Sequence, residues 1–541
     1  MCLTYYSSIV TLDPYPANEY SEFSKMKKIV LLFLGLLILV FGRIHAQEKT
    51  LTKLHMYEDF DEMVSILQDC NPQLAVRKTV TGIDQTRYFT ELRARIDTID
   101  TYASFVIKVL NHLLIRMYDI HAVMARELYP FDNTEGIDPE AVRRQREEMR
   151  KRYERQELHY NPCKPFCTPL YVNGDYYIKG RVTFVSRGKE DTVRVTNAKI
   201  LSYNGIPYAE YVIRYSPHDM RWDHNRKKYY ALNSSFPKCS GLLELEYSGK
   251  TVTIDLKKFS GIILEEYRPF HTADYATLPL YPHARKNPRV HYFKEDKILY
   301  IHLYKMDDDG GVFAERVKKT AKGKEITKLI IDVRDNNGGN DQAWYYLLQA
   351  IIADSLPDRS VTAFRNSDRI KRLYTNSPVV QNIANWEVRK FAWLPGEEFL
   401  VSATKPVYIV PDSNSLNYKG PIYVVQNENT LSSAQAFTAF ATHSDRFTTV
   451  GVPTGLLGGR GITPALFQLP HSQFSFRLET ALDVTDVRNP ADAYHDTPEI
   501  NVDIPFEESF KTQYCKYIYD QYSPEYLYRH DFIFRQILKM K

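Results

Sequence analysis

Apolar residues recur at three- and four-residue spacing over residues 51–67 and 88–117, which predicts two helices that each bury one face. Residues 139–160 are dense in charge and predict a solvated helix. Beyond residue 165 the pattern changes to alternation. Residues 176–185 and 193–207 predict strands, and 242–247 with 250–255 predict a hairpin closed by Ser248-Gly249. From residue 298 onward, short apolar runs alternate with helical spacing. Strands are expected at 298–303, 329–333 and 421–425, and helices near 313–322, 342–354 and 434–441. Such alternation predicts an α/β core with strands buried between helices. Residues 365–400, rich in Arg, Asn and aromatics, interrupt it and are expected to be an insertion bordering a cleft.

Two junctions in that core carry candidate chemistry. The strand at 421–425 runs into Asn427-Glu-Asn-Thr-Leu-Ser-Ser-Ala-Gln-Ala-Phe437, so Ser432 sits where a strand hands over to a helix. A hydroxyl there lies near the free N–H groups of the first helical turn; its ordinary role is that of an N-cap. The strand at 329–333 runs into Arg334-Asp-Asn-Asn-Gly-Gly-Asn340, where paired glycines permit a sharp turn and a close approach. N–H groups freed in such a turn suit a developing oxyanion.

Together these segments carry a family resemblance. Asp332-Val-Arg-Asp-Asn-Asn-Gly-Gly339 resembles the Asp-Leu-Arg-x-Asn-x-Gly-Gly element of the C-terminal-processing and tricorn-core serine peptidases. Thr430-Leu-Ser-Ser-Ala-Gln-Ala-Phe437 is similar to their Thr-Ala-Ser-Ala-Ala-Glu-x-Phe nucleophile segment, and Val450-Gly-Val-Pro-Thr-Gly455 to the Gly-x-x-Thr-x-Gly turn that follows. The resemblance is strong across residues 290–505. It implies a ββα superhelical, crotonase-like core with Ser432 as nucleophile and an oxyanion site built from Gly338, Gly339 and Ser433. Ser433 stands where the family has alanine, and Gln435 where it has glutamate. Val193-Arg-Val-Thr-Asn-Ala-Lys-Ile-Leu-Ser-Tyr-Asn-Gly-Ile-Pro207 resembles an element of PDZ domains, which bind peptides by strand addition.

The base is not the lysine of the bacterial processing branch, unless a lysine arrives from a distant segment. That lysine falls 25 residues after the serine, here Leu457, and no lysine occurs between Lys419 and Lys511. Arg460 cannot replace it, because a guanidinium stays protonated. Imidazole titrates near neutrality and can serve. The tricorn-type relatives place a histidine at the end of a helix in an Asp-x-His-like context, which Asp119 and His121 match; His443 and His495 are reserves. The resemblance also implies an acid orienting the histidine, usually glutamate, which maps onto Asp492 with Asp496 behind it.

Composition adds less. At 541 residues the chain needs more than one domain. A net charge of +4 makes no case for nucleic acid, and the 40 tyrosines predict much half-buried aromatic surface. Met26-Lys-Lys28, a 14-residue apolar run to Gly42 and Ile44-His-Ala46 read as a secretory signal peptide. The run is short for a membrane span, so no stable anchor is expected after cleavage. An exported chain, periplasmic or extracellular, would carry Cys70, Cys163, Cys167, Cys239 and Cys515 into a compartment that permits disulfides, in a pairing the sequence leaves open. Cys163-x-x-x-Cys167 lacks a second ligand pair for zinc, and neither metal nor cofactor is expected.

The expected organisation is an upstream extension (1–25), signal peptide (26–46), helical domain (47–160), PDZ-like β domain (165–260), serine peptidase core (285–508) and Tyr-rich tail (509–541). The expected function is an exported serine peptidase acting on peptides or proteins. The alternative is a catalytically inactive protein of the same fold that binds peptides or apolar ligands, since fold alone does not carry activity.

Overall fold

The computed structural model describes residues 51–128, 136–154, 169–186, 192–215, 220–231, 241–265, 288–307, 309–377, 380, 382–402, 407–454, 464–494, 496–515 and 518–540. The upstream extension, the signal peptide, Cys163, Cys167, Cys239, Leu457, Arg460 and His495 lie outside them. No helix among the described residues is long and apolar enough to cross a membrane.

Helix α1 (Lys53–Cys70) starts at Thr52, whose hydroxyl accepts the His55 N–H at 3.2 Å. The single helix expected over 88–117 is instead broken. Arg87–Arg95 ends in a 3₁₀ turn, and helical backbone resumes at Tyr102–Phe105, passes through a π segment at Val106–Leu110 and ends as α2 (Asn111–Arg116). The break falls on Asp97-Thr-Ile-Asp-Thr101, whose short polar side chains compete for backbone groups; Thr101 caps the new start through the Ser104 N–H. After α2 comes the two-residue strand β1 (Val123–Met124).

These helices do not close a core alone. Met56, Phe60, Met63 and Leu67 of α1 pack in one cluster with Phe364, Ile370, Leu373 and Tyr374 and with Phe467, Phe474 and Phe476. The 365–400 stretch, expected to border a cleft, is therefore packing surface for the N-terminal helices. Residues 170–265 form a β region in which the predicted hairpin is present, Leu242 opposite Asp255 through Tyr247 opposite Lys250. Its cluster takes in Ala363, Phe399, Val401, Leu482 and Tyr494 from the core.

The core contributes β2 (Arg289–Phe293), β3 (Ile298–His302), α3 (Gly310–Ala321), β4 (Lys328–Asp332), α4 (Gln342–Ile351), β5 (Ile422–Gln426), α5 (Ser433–Thr442), β6 (Phe447–Gly451), a hairpin of β7 (Ala465–Gln468) and β8 (Ser475–Leu478), and β9 (Ile500–Asn501). Six of the strands form one sheet in the order β2-β3-β4-β5-β6-β9, parallel except for the β2–β3 pair. Apolar runs form these strands because both faces are covered. Leu299, Ile301, Leu329, Ile331 and Val424 face α4 and α5 through Trp344, Leu347, Phe437 and Phe440. Ile298, Tyr300, Ile330, Tyr423 and Val425 face the other way, onto Leu527, Ile533, Phe534 and Ile537 of the tail.

The tail is thus the second helical layer of the core. It forms α6 (Phe506–Cys515), α7 (Pro524–Arg529) and α8 (Phe532–Lys539). Ser523 caps α7 with Pro524 in its first turn, and Asp531 caps α8 by accepting the Phe534 N–H at 2.7 Å. The Asp531 carboxylate also meets Arg334 at 2.7 Å, so the tail grips the loop that carries the paired glycines.

Candidate active site

The site starts where β4 and β5 end side by side, with Asp332 opposite Val425. Asp332 is fully buried, and Arg334 folds back onto it at 2.6 Å. Burial acts against the Asp332 charge, yet the Arg334 guanidinium holds it below the usual carboxylate range. The next residues tie the two loops together. Asp335 Oδ1 accepts from Asn427 at 3.2 Å and Asn429 at 2.9 Å, and Thr430 donates to the Val333 carbonyl at 3.1 Å. Asn336 donates to the Leu303 carbonyl at 2.6 Å, while its own carbonyl accepts the Leu431 N–H at 2.9 Å. Asp332, Arg334, Asp335, Asn336, Asn427, Asn429 and Thr430 are spent on this scaffold.

Ser432 stands at its end with φ 52° and ψ −124°, a conformation that costs a non-glycine residue on the order of 1–3 kcal/mol. Its side chain does not cap α5, and among the described residues its hydroxyl has no hydrogen-bond partner. The ordinary N-cap role therefore fails. Ser433 is different: its hydroxyl donates to Asp341 at 2.5 Å. Of the two serines, Ser432 alone has its oxygen uncommitted.

The paired glycines are sterically required. A Cβ on Gly338, at φ 86°, would lie 2.7 Å from the Ser432 Cβ and 2.9 Å from the Ser433 nitrogen. One on Gly339 would lie 1.9 Å from the Met306 carbonyl oxygen. Not all of the expected oxyanion donors are open, however. The Gly338 N–H donates to Asn336 Oδ1 at 2.8 Å, because the Asn side chain folds back over its own turn. The Met306 bridge engages the Gly338 carbonyl and the Asn340 N–H but leaves out the Gly339 N–H. Among the described residues, the Ser433 N–H at the start of α5 has no backbone acceptor.

His121 follows α2, and its backbone N–H donates to Asp119 Oδ1 at 2.9 Å. Asp119 is held in turn by Arg77 at 3.3 Å, both side chains being wholly buried, and Arg77 also donates to the Met117 carbonyl. Strand β1 then pairs with β8, Val123 opposite Arg477 and Met124 opposite Phe476. Carried two residues outward, that register sets His121 opposite Glu479. Nδ1 of His121 lies 3.3 Å from Oε2 of the fully buried Glu479, whose other oxygen accepts the Ala481 N–H at 2.9 Å. Burial acts to lower the His121 pKa, but the Glu479 carboxylate outweighs it and the net direction is upward. Burial likewise pushes Glu479 up, against the opposing pull of His121.

The carboxylate against His121 is therefore Glu479, not Asp492 as the sequence alone suggests. Asp492 accepts the Arg488 N–H at 3.1 Å and pairs loosely with that side chain at 3.9 Å. The reserve Asp496 accepts from Thr438 at 3.3 Å and braces α5, and His443 pairs with Asp486 at 3.4 Å. Glu479 gave no spacing signal in the sequence; the two-residue strand that brings it to His121 is too short for any periodicity. Ser432 and His121 are not hydrogen-bonded to each other.

Residues 297–504 match the model of peptidase family S41. No curated protein matches the chain. Among solved structures, mature CPAF is 14% identical, with 90% of this chain and 98% of that one covered and a TM-score of 0.49. The photosystem II D1 C-terminal processing protease is 13% identical, covering 87% and 98% with a TM-score of 0.31. The tricorn protease is 14% identical, covering 90% of this chain and 37% of that one with a TM-score of 0.31. At those identities and scores none bears on mechanism. On that family match, residues 297–504 are similar to the serine peptidases of family S41.

Proposed function

We propose that this chain hydrolyses peptide bonds by acyl transfer through Ser432, with His121 as general base and Glu479 orienting it. The observation that carries this reading is the left-handed backbone of Ser432, held against Gly338 with its hydroxyl uncommitted. In the proposed cycle, Nε2 of His121 takes the Ser432 proton as the oxygen attacks the substrate carbonyl. The oxyanion is met by the N–H groups of Ser433 and Gly339. The imidazolium, its Nδ1 facing Glu479, returns the proton to the leaving amine, and water then releases the acyl group by the same steps in reverse. The substrates are peptides or proteins. The β region at 170–265 is read as a PDZ-like element that captures or gates them, and the chain as exported after cleavage near Ala46.

Labelling with a fluorophosphonate tests this directly. The wild type should label, Ser432→Ala should not, and His121→Ala should label far more slowly. A folded wild-type protein that fails to label would leave the second reading, a ligand-binding protein on the same fold. The absence of a Ser432–His121 hydrogen bond favours that second reading.

A further inference from the structure

Outside the catalytic constellation, one cluster places ligating side chains around a common point. Asp59, on α1, is fully buried, and its two oxygens accept the backbone N–H groups of His471 at 3.0 Å and Ser472 at 2.6 Å. These partners are 412 and 413 positions away in sequence. That clamp fixes the turn between β7 and β8 against the first turns of α1. It also sets three side chains together. His55 and Glu58 stand three residues apart on one face of α1, and His471 reaches them from the turn. Nε2 of His471 lies 2.8 Å from Oε2 of Glu58. The His55 and His471 rings lie nearly parallel, with centroids 4.4 Å apart and planes 9° apart.

One donor atom from each of the three residues falls within 4.8 Å of the other two. A tetrahedral zinc ion with bonds of 2.0–2.1 Å holds its donors about 3.4 Å apart. The His471–Glu58 pair is already inside that distance, so closing the set needs a swing of about 1 Å or slightly more in side chains that reach solvent. Two imidazoles and one carboxylate suit zinc and its neighbours rather than calcium or magnesium, which take oxygen ligands. His55 and His471 are half-buried and Glu58 is exposed, which leaves a fourth position for water.

We propose that His55, Glu58 and His471 form a binding site for a divalent transition metal, zinc foremost, that cross-links α1 to the β7–β8 turn. The site shares no residue with the proposed catalytic groups. Its consequence is mechanical: the cross-linked turn leads directly into β8, the strand that ends beside Glu479. A bound ion stabilises the folded chain by mass action and holds that hairpin to the N-terminal helices.

The test uses the full chain, stripped with a chelator and exchanged into metal-free buffer. Calorimetric titration with zinc chloride should show one equivalent bound, and cobalt chloride should give the visible absorption of a four-coordinate ion. His55→Ala and His471→Ala should each weaken zinc binding roughly tenfold or more. Glu58→Gln, on an exposed side chain, gives a third variant with little risk to folding, and circular dichroism checks all three. Zinc should raise the melting temperature of the wild type and leave the His55→Ala/His471→Ala double variant unmoved. Absence of binding overturns the proposal, and so does binding that survives in the double variant, because the ion is then held elsewhere.

Discussion

His121 and Glu479 face each other across the antiparallel β1–β8 pair, Nδ1 of one lying 3.3 Å from Oε2 of the other. The pairing gives the histidine a fixed ring orientation and a buried counter-charge. The Glu479 carboxylate raises the affinity of that imidazole for protons.

Replacing Glu479 should therefore cost more than replacing Asp492. Glu479→Gln is expected to slow fluorophosphonate labelling by roughly 10²–10⁴-fold, whereas Asp492→Asn should stay within about twofold. The pH profile separates orientation from folding damage. Wild-type labelling should fall as pH drops through a His121 pKa above 6.5, and in Glu479→Gln that inflection should move down, since burial alone opposes the charged ring. Equal losses in the two variants would remove Glu479 from the site.

Gly338→Ala should abolish labelling with only a moderate loss of stability. The added methyl meets the Ser432 Cβ at 2.7 Å on a backbone at φ 86°, so the Ser432 loop must shift while the sheet beneath it stays intact. Labelling within threefold of wild type would show that the contact is not needed.

His302 gives a stability prediction. It is almost wholly buried, stacked on Tyr522 with centroids 3.7 Å apart, and burial pushes its pKa down to about 4. The unfolded chain, with an ordinary imidazole near 6.5, takes up the proton more readily than the folded one. The stability from the neutral ring is thus complete above about pH 6.5 and is lost progressively as pH falls towards 4, by up to roughly 3 kcal/mol. Denaturant midpoints for His302→Gln should lack that part of the decline; a parallel decline in both proteins would assign it to other groups.

The grip of the tail should be measurable as well. Arg334 and Asp531 pair at 2.7 Å with 12% and 8% of their side chains exposed. Asp531→Ala leaves Arg334 paired with Asp332 but removes its second carboxylate and the α8 cap, so it should cost about 2–3 kcal/mol in urea unfolding. A loss under about 1 kcal/mol would mean that the tail is held by its apolar face alone.

The sequence by itself determined the alternation of strands and helices in the core, the strand–helix junction at Ser432 and the paired glycines beside it. These are local properties. Apolar periodicity reports which faces are covered, and a glycine reports backbone that a Cβ would not allow. The family resemblance, and not periodicity, pointed to His121 through its Asp-x-His context. Tertiary structure alone decided which carboxylate meets that histidine, that Asn336 consumes the Gly338 N–H, and that the tail roofs the sheet. It likewise decided that Asp59 reaches across the chain to seat His471. Each of these depends on partners hundreds of residues apart, or on a side chain folding onto its own turn. Neither leaves a period in the sequence, because the spacing of such contacts is set by how the layers pack and not by the repeat of a helix or strand.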